Sequence, residues 1–274
     1  VLRLSPDRLV IALSPDHVAW AVLRRGLRSQ LHAKGMTKFA VQDGRVWQQA
    51  LQILQGELPR LPVTKGKVAV VLSNAFVRYL LVNGGEALAG AEERLVLAKH
   101  DFLKVYGAVA QGWEIRISDA DAGGKYLASA VDAELIAQLR QTFSATGFKL
   151  DSIQPYFALA FDAWCTKLDS KISHGIFIPE ANGYCYAGIG KDEWQFMRSG
   201  RWEENDPAET FRRVIAREAV LSGDGQRSLR WCPAPDKALA TLLASVQAAK
   251  PLAGIETMRD LTEPEYALVL AGAA

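Results

Sequence analysis

The chain has 274 residues, 49% of them apolar and 23% charged, with 32 basic against 30 acidic side chains and a formal net charge of +2. That length suits two modest domains, and the mix is that of a folded globule rather than a disordered chain. The near-balance of charge argues against a dedicated nucleic-acid binder, which needs a cationic excess to neutralise phosphates.

In chain order, branched residues at 9–13 predict a strand, and Ser14-Pro15-Asp16 a turn. Returning strands follow at 18–23 and 29–33. Trp47, Ala50, Leu51, Leu54 and Leu58 recur on one face of a 3.6-residue period, so a helix is expected before Pro59 and Pro62. The apolar run 68–72 reads as a strand buried on both faces. An added block, 74–131, then gives a strand at 76–82, a helix carrying Leu88, Ala91, Leu95, Ala98 and Phe102, and strands at 113–118 and 126–130. Leu135, Leu139 and Phe143 mark the next helix, with Gly147 expected as its C-terminal cap. A strand at 150–153 and a closing helix at 156–164 complete the first half.

The second half copies this plan. Strands are predicted at 176–178, 184–189 and 194–197. A helix begun by Asp206-Pro207 follows, then a strand at 229–232. Leu239, Leu242, Leu243 and Val246 form a further helix face, 254–257 is a short strand, and 263–271 is a last helix. Each half is therefore βββαβαβα. Two such halves make an α/β protein of the actin-like, ribonuclease H-like architecture. The expected domains are 1–168, carrying the strand-helix-strand-strand insertion at 74–131, and 172–274.

The run VAVVLSNAFVRYLLV at 68–82, the helix at 92–106, SAVD at 129–132 and TGFKLDSIQPYFA at 146–158 resemble the PilM-like proteins of type IV pilus assembly. They also resemble the cytoplasmic parts of GspL-type proteins of type II secretion. The resemblance implies a cytoplasmic scaffold, docked to an inner-membrane complex and open to self-association, and the altered nucleotide positions below add the expectation that it is non-catalytic. In that family a groove beside the inserted subdomain takes the N-terminal tail of a membrane-anchored partner. Phe76, Tyr79 and Leu81 are the candidate residues for such a contact here. Each one singly reads first as a core residue.

Proteins of this fold hold ATP and Mg²⁺ with an Asp-x-Gly hairpin in each half. The Asp orients the metal, and the Gly lets backbone N–H groups close on phosphate. Aligned on Val18, the first hairpin has Ala12 in place of the Asp, Ser14 in place of the Gly, and Ala19 in place of the usual basic residue. In the second the matching positions fall near Phe177 and Pro179. The adenine-side Gly-Gly is replaced near Cys232 by CPAP. Charge-assisted hydrogen bonds contribute about 1.5–3 kcal/mol each. A micromolar ligand has only about 8 kcal/mol of binding free energy. Losing three such contacts removes most of it, so no cofactor is expected. ATP with Mg²⁺ remains the alternative, with Asp16, two residues past Ser14, as the nearest carboxylate.

Other chemistry is sparse. His17, His32, His100 and His174 lack zinc-ligand spacing, and neither a GxSxG elbow nor a Walker A sequence occurs. Asp119, Asp121 and the following glycines read as a hairpin turn rather than a calcium loop, and Lys65-Gly-Lys67 reads as a solvated turn. Cys165, Cys185 and Cys232 form no CxxC pair and fit reduced thiols. Apolar runs fall short of the ~20 residues that span a bilayer, and the first residues do not read as a signal peptide. Arg24, Arg25 and Arg28 make a basic cluster suited to an acidic partner or lipid headgroups. In Arg212, Arg213 and Arg217, Glu209 is expected to pair with Arg213. The insertion holds six Lys/Arg against seven Asp/Glu, so it is no nucleic-acid platform.

Overall fold

The computed structural model describes residues 8–25, 29–41, 44, 46–84, 90–165, 168–190, 192–203, 206–223, 227–232, 240–241, 243–244, 250–251 and 266–273. The first half contains β1 (Arg8–Leu13), β2 (His17–Arg25), β3 (Ser29–Lys38), α1 (Val46–Glu57) and β4 (Lys65–Leu72). Then come β5 (Val77–Asn83), α2 (Ala91–Tyr106), β6 (Trp113–Ile117), β7 (Lys125–Asp132), α3 (Ala133–Ser144), β8 (Gly147–Pro155) and α4 (Tyr156–Cys165). The second half contains β9 (His174–Glu180), β10 (Gly183–Gly190), β11 (Glu193–Arg201), α5 (Pro207–Ser222), β12 (Ser228–Trp231), β13 (Lys250–Pro251) and α6 (Ala267–Ala273). The expectations at Leu88, Leu239, Leu242, Val246, 233–235, 254–257 and Arg28 lie outside the described residues.

Two five-stranded sheets have the same plan, β3-β2-β1-β4-β8 and β11-β10-β9-β12-β13. In each, an antiparallel pair of hairpins joins strands that run parallel to the first. This is the doubled βββαβαβα plan. The insertion forms a three-stranded antiparallel sheet, β5-β7-β6. The chain divides into two compact units, Val1–Phe76 with Ala133–Cys165 and Ala253–Ala274, and Val77–Asp132 with Thr166–Leu252.

In the first unit, β1 is central and Leu9 to Leu13 are fully buried. Trp47, Ala50, Leu51 and Leu54 line the buried side of α1. The other face of the sheet is covered by α6, which packs on β1, β2, β4 and α4. A Cβ on Gly272 would come within 2.5 Å of Val71 Cγ2 and 2.7 Å of Val10 Cγ1, so only glycine lets this helix lie so close to the sheet. The start of α4 is tied to a distant side chain. Its Phe157 N–H donates to Asn74 Oδ1, at 2.9 Å, 83 residues earlier.

Several local expectations change. Gly147 does not cap α3. It opens β8, where a Cβ would lie 2.5 Å from the Thr64 carbonyl oxygen. Thr146 closes the helix instead, its N–H and hydroxyl both donating to the Phe143 carbonyl. Lys65-Gly-Lys67 is the first part of β4 rather than a turn. Phe76 ends a short 3₁₀ turn, Asn74–Phe76, and β5 begins one residue later.

The second unit is held by aromatic packing. Phe177, Tyr186, Phe196, Phe211 and Trp231 cluster with Leu229 and Leu243. Phe177 meets Phe211 edge-on at 4.9 Å, a geometry that adds to the burial itself. Asp206 caps α5 as expected, accepting from Glu209 N–H at 3.0 Å, with Pro207 in the first turn. Glu218 on α5 is buried and accepts from Arg198 Nε at 3.0 Å. Arg213 pairs with Glu203 rather than Glu209, and Glu209 takes Arg212 at 3.3 Å. In the insertion, Ala98 and Phe102 of α2 pack on Val82, Ile115, Tyr126, Ala128 and Ala130.

Candidate functional site

The first hairpin turns through Pro15 and Asp16. Ser14 N–H donates to the His17 carbonyl at 3.0 Å, and Pro15 has no N–H. Two of the backbone positions that would close on a phosphate are thus unable to do so. Proline suits this second position of a four-residue turn through its fixed φ. Asp16 Oδ1 lies 2.8 Å from His17 Nδ1. Burial pushes the Asp16 carboxyl up, but the His17 hydrogen bond and charge, its own backbone and Lys38 together hold it below its ordinary value. Ala12 is fully buried within β1, and Ser14 is 3% exposed at its end.

The second hairpin is longer. β9 continues to Glu180, so Phe177 and Pro179 are buried strand residues rather than loop-tip residues. Internal register equates the two halves more closely than sequence spacing does. Ser73 N–H donates to the Leu13 carbonyl at 2.9 Å, and Cys232 N–H donates to the Phe177 carbonyl at 3.0 Å. Leu13 therefore corresponds to Phe177, Ala12 to Ile176 and Ser14 to Ile178. The sequence-based match was one residue off, which in a strand turns every side chain to the other face. Under either register no Asp or Gly occupies these positions. Cys232 is fully buried. Burial also pushes the Cys185 thiol well above its ordinary value, with Glu180 and Cys232 adding to this and Arg78 opposing it. Such a thiol is inert.

The inserted sheet has two unlike faces. Leu80, Val82, Tyr126, Ala128, Ala130 and Ile115 pack toward α2. Tyr79 and Leu81 lie on the opposite face, paired across the ladder with Ser129 and Leu127. Val77 and Val131 continue this apolar stripe. On β6 the same face carries Glu114 and Arg116, joined at 2.7 Å. The face thus grades from an apolar stripe to a charged rim. Tyr79 is 4% exposed, whereas Leu81 is half-buried. Phe76, also half-buried, belongs to the first unit and precedes the strand.

Within the second unit, β11 runs against β5 and β7. Asp121 makes the join specific. Its Oδ1 accepts from the N–H groups of Gly123 and Lys125 at 2.9 and 2.8 Å, and its Oδ2 accepts from Trp194 N–H at 2.7 Å. Lys125 Nζ then donates to the Trp194 carbonyl at 2.9 Å. The Asp119–Gly124 segment is therefore a turn whose carboxylate is committed to backbone. No group of three or more metal-ligating side chains occurs among the described residues. Sequence reasoning found the turn but missed this clamp, since nothing local to Asp121 marks Trp194 as its partner.

No protein-family model matches the chain, and no curated protein matches it in sequence. Solved structures do match its fold. A Bacteroides thetaiotaomicron protein with an actin-like ATPase fold and unknown function shares 7% identity at a TM-score of 0.65, over 99% of this chain and 97% of that one. The PilM-PilN type IV pilus biogenesis complex contains a chain 12% identical at a TM-score of 0.71, over 97% of each. The cytoplasmic domain of EpsL, an inner-membrane component of the type II secretion system of Vibrio cholerae, is 11% identical at a TM-score of 0.56, over 97% of this chain and 94% of that one. The fold is therefore actin-like. No helix among the described residues is long and apolar enough to cross a membrane.

Proposed function

We propose that this chain is a non-catalytic cytoplasmic adaptor of a pilus-assembly or secretion-like inner-membrane complex. Its inserted subdomain docks a membrane-anchored partner or the cytoplasmic tail of one. The observation that carries the reading is the graded face of the inserted sheet, a half-buried Leu81 beside buried apolar neighbours and a charged rim. An apolar centre with a polar margin is the usual anatomy of a protein interface. The likeness to the pilus complex supports the same placement, since PilM is there combined with PilN. The Pro15-Asp16 turn supports the non-catalytic part, because Ser14 N–H is engaged by the His17 carbonyl and Pro15 has no N–H.

Leu81→Asp tests the docking. The side chain is half-buried, so the variant is expected to fold with a thermal midpoint within a few degrees of the parent. Capture of the membrane-anchored partner's cytoplasmic tail should be lost, with affinity falling at least tenfold in a pull-down or calorimetric titration. Unchanged capture by folded Leu81→Asp protein contradicts the reading. Tyr79→Asp is a poorer probe. Its ring is buried, so the fold and the binding would fail together.

A further inference from the structure

We propose that the end of the first unit where β1, β4 and β8 begin is a docking surface for an anionic lipid bilayer. The parallel registers set Arg8 opposite Lys67 and Lys67 opposite Lys149. Paired residues on neighbouring strands point to one face, so these three cations stand in a row at the strand spacing of about 4.8 Å. Lys65 lies two residues before Lys67 and keeps to the same face. β2 ends at this edge, since Leu23 pairs with Arg8, and it brings the exposed Arg24 to the same end on the opposite face of the sheet, where its guanidinium meets His32 at 3.1 Å.

Among the described residues, carboxylates do not balance this array. Asp151 pairs with Lys67 at 3.2 Å, and Glu57 with the nearby Arg60 at 3.0 Å. Among the described residues Arg8, Arg24, Lys65 and Lys149 have no carboxylate within salt-bridge distance. The whole chain carries a net charge of only +2. Among the described residues these four cations are gathered at one end without a paired carboxylate, and a negatively charged surface would attract that end.

The shape selects a bilayer over an acidic peptide. Of these cations only Lys149 lies on an outer strand, β8; Arg8, Arg24, Lys65 and Lys67 sit on strands paired on both sides, which offer no free ladder of backbone donors and acceptors for an extended chain to join. The cations spread across four neighbouring strands as a shallow array, which suits a diffuse plane of charge. Each cation near an anionic leaflet strengthens attachment by about fivefold, and the effect fades beyond a Debye length. This inference does not depend on the docking of a protein partner at the inserted sheet.

Co-sedimentation of the full chain with vesicles is the test. Vesicles of phosphatidylcholine with a one-third share of phosphatidylglycerol should carry the protein down at low ionic strength. Vesicles of phosphatidylcholine alone should not, and binding should weaken steeply as salt is added. Lys65→Gln with Lys149→Gln should lower the apparent affinity by about 25-fold, from fivefold per cation, with the thermal midpoint unchanged because both side chains are exposed. Arg212→Gln with Arg217→Gln on α5 removes the same charge elsewhere and should have little effect. Failure to bind the anionic vesicles overturns the proposal. Equal loss from both double variants overturns it too, as does capture by polyglutamate without capture by vesicles.

Discussion

The two five-stranded sheets share a strand order but close their first hairpins differently. The first turns tightly at Pro15-Asp16, with Asp16 held by His17. The second runs on to Glu180 and buries Phe177 at the position matching Leu13. Their supports differ as well. The first sheet is covered by α6, from the far end of the chain, and the second gathers an aromatic cluster of its own. The two halves thus match at their buried strand centres and differ at their strand ends. In this fold the strand ends are where phosphate would be held.

Core truncation sharpens the comparison most. Phe177→Ala should cost about 3–5 kcal/mol and Leu13→Ala about 2–5 kcal/mol, since both side chains are fully buried. Chemical denaturation measures both. A loss below about 1 kcal/mol at Phe177 would break the claim that it is a strand-core residue and reopen the hairpin as a loop. Next, Gly272→Ala should destabilise by about 1–3 kcal/mol through overpacking against Val71 and Val10. A neutral effect would show that α6 does not lie on the first sheet.

The smallest effect is at Asp16. Its carboxyl is held below the ordinary value of 3.8, so it stabilises the fold above that range. The contribution is lost as pH falls through the lower folded value. Asp16→Asn should therefore be slightly less stable than the parent at neutral pH, and the gap should close in acid. A gap that widens on acidification would contradict the Asp16–His17 contact.

Much of this was legible in the sequence because buried periodicity announces itself. The halves, the insertion and the Asp206-Pro207 helix start all follow from local spacing or local capping. What the sequence hid was long-range. Asn74 caps a helix 83 residues away, and Asp121 grips the backbone of Trp194, 73 residues on. Gly147 carries no mark that separates a helix cap from a close approach to Thr64. The one-residue offset between Ser14 and Pro179 arose because β9 outruns β1, and only the ladder hydrogen bonds reveal that. Tyr79 and Leu81 look alike in an alternating strand, yet one is buried and the other half-open.

We propose that neither hairpin grips a nucleotide. Thermal unfolding with and without millimolar Mg-ATP tests it most directly, followed through the seven tryptophans. A ligand at a hundredfold excess over its Kd stabilises a fold by about 2.7 kcal/mol. The account predicts a midpoint that does not move with Mg-ATP concentration. A saturable rise in the midpoint with a micromolar half-point would contradict it.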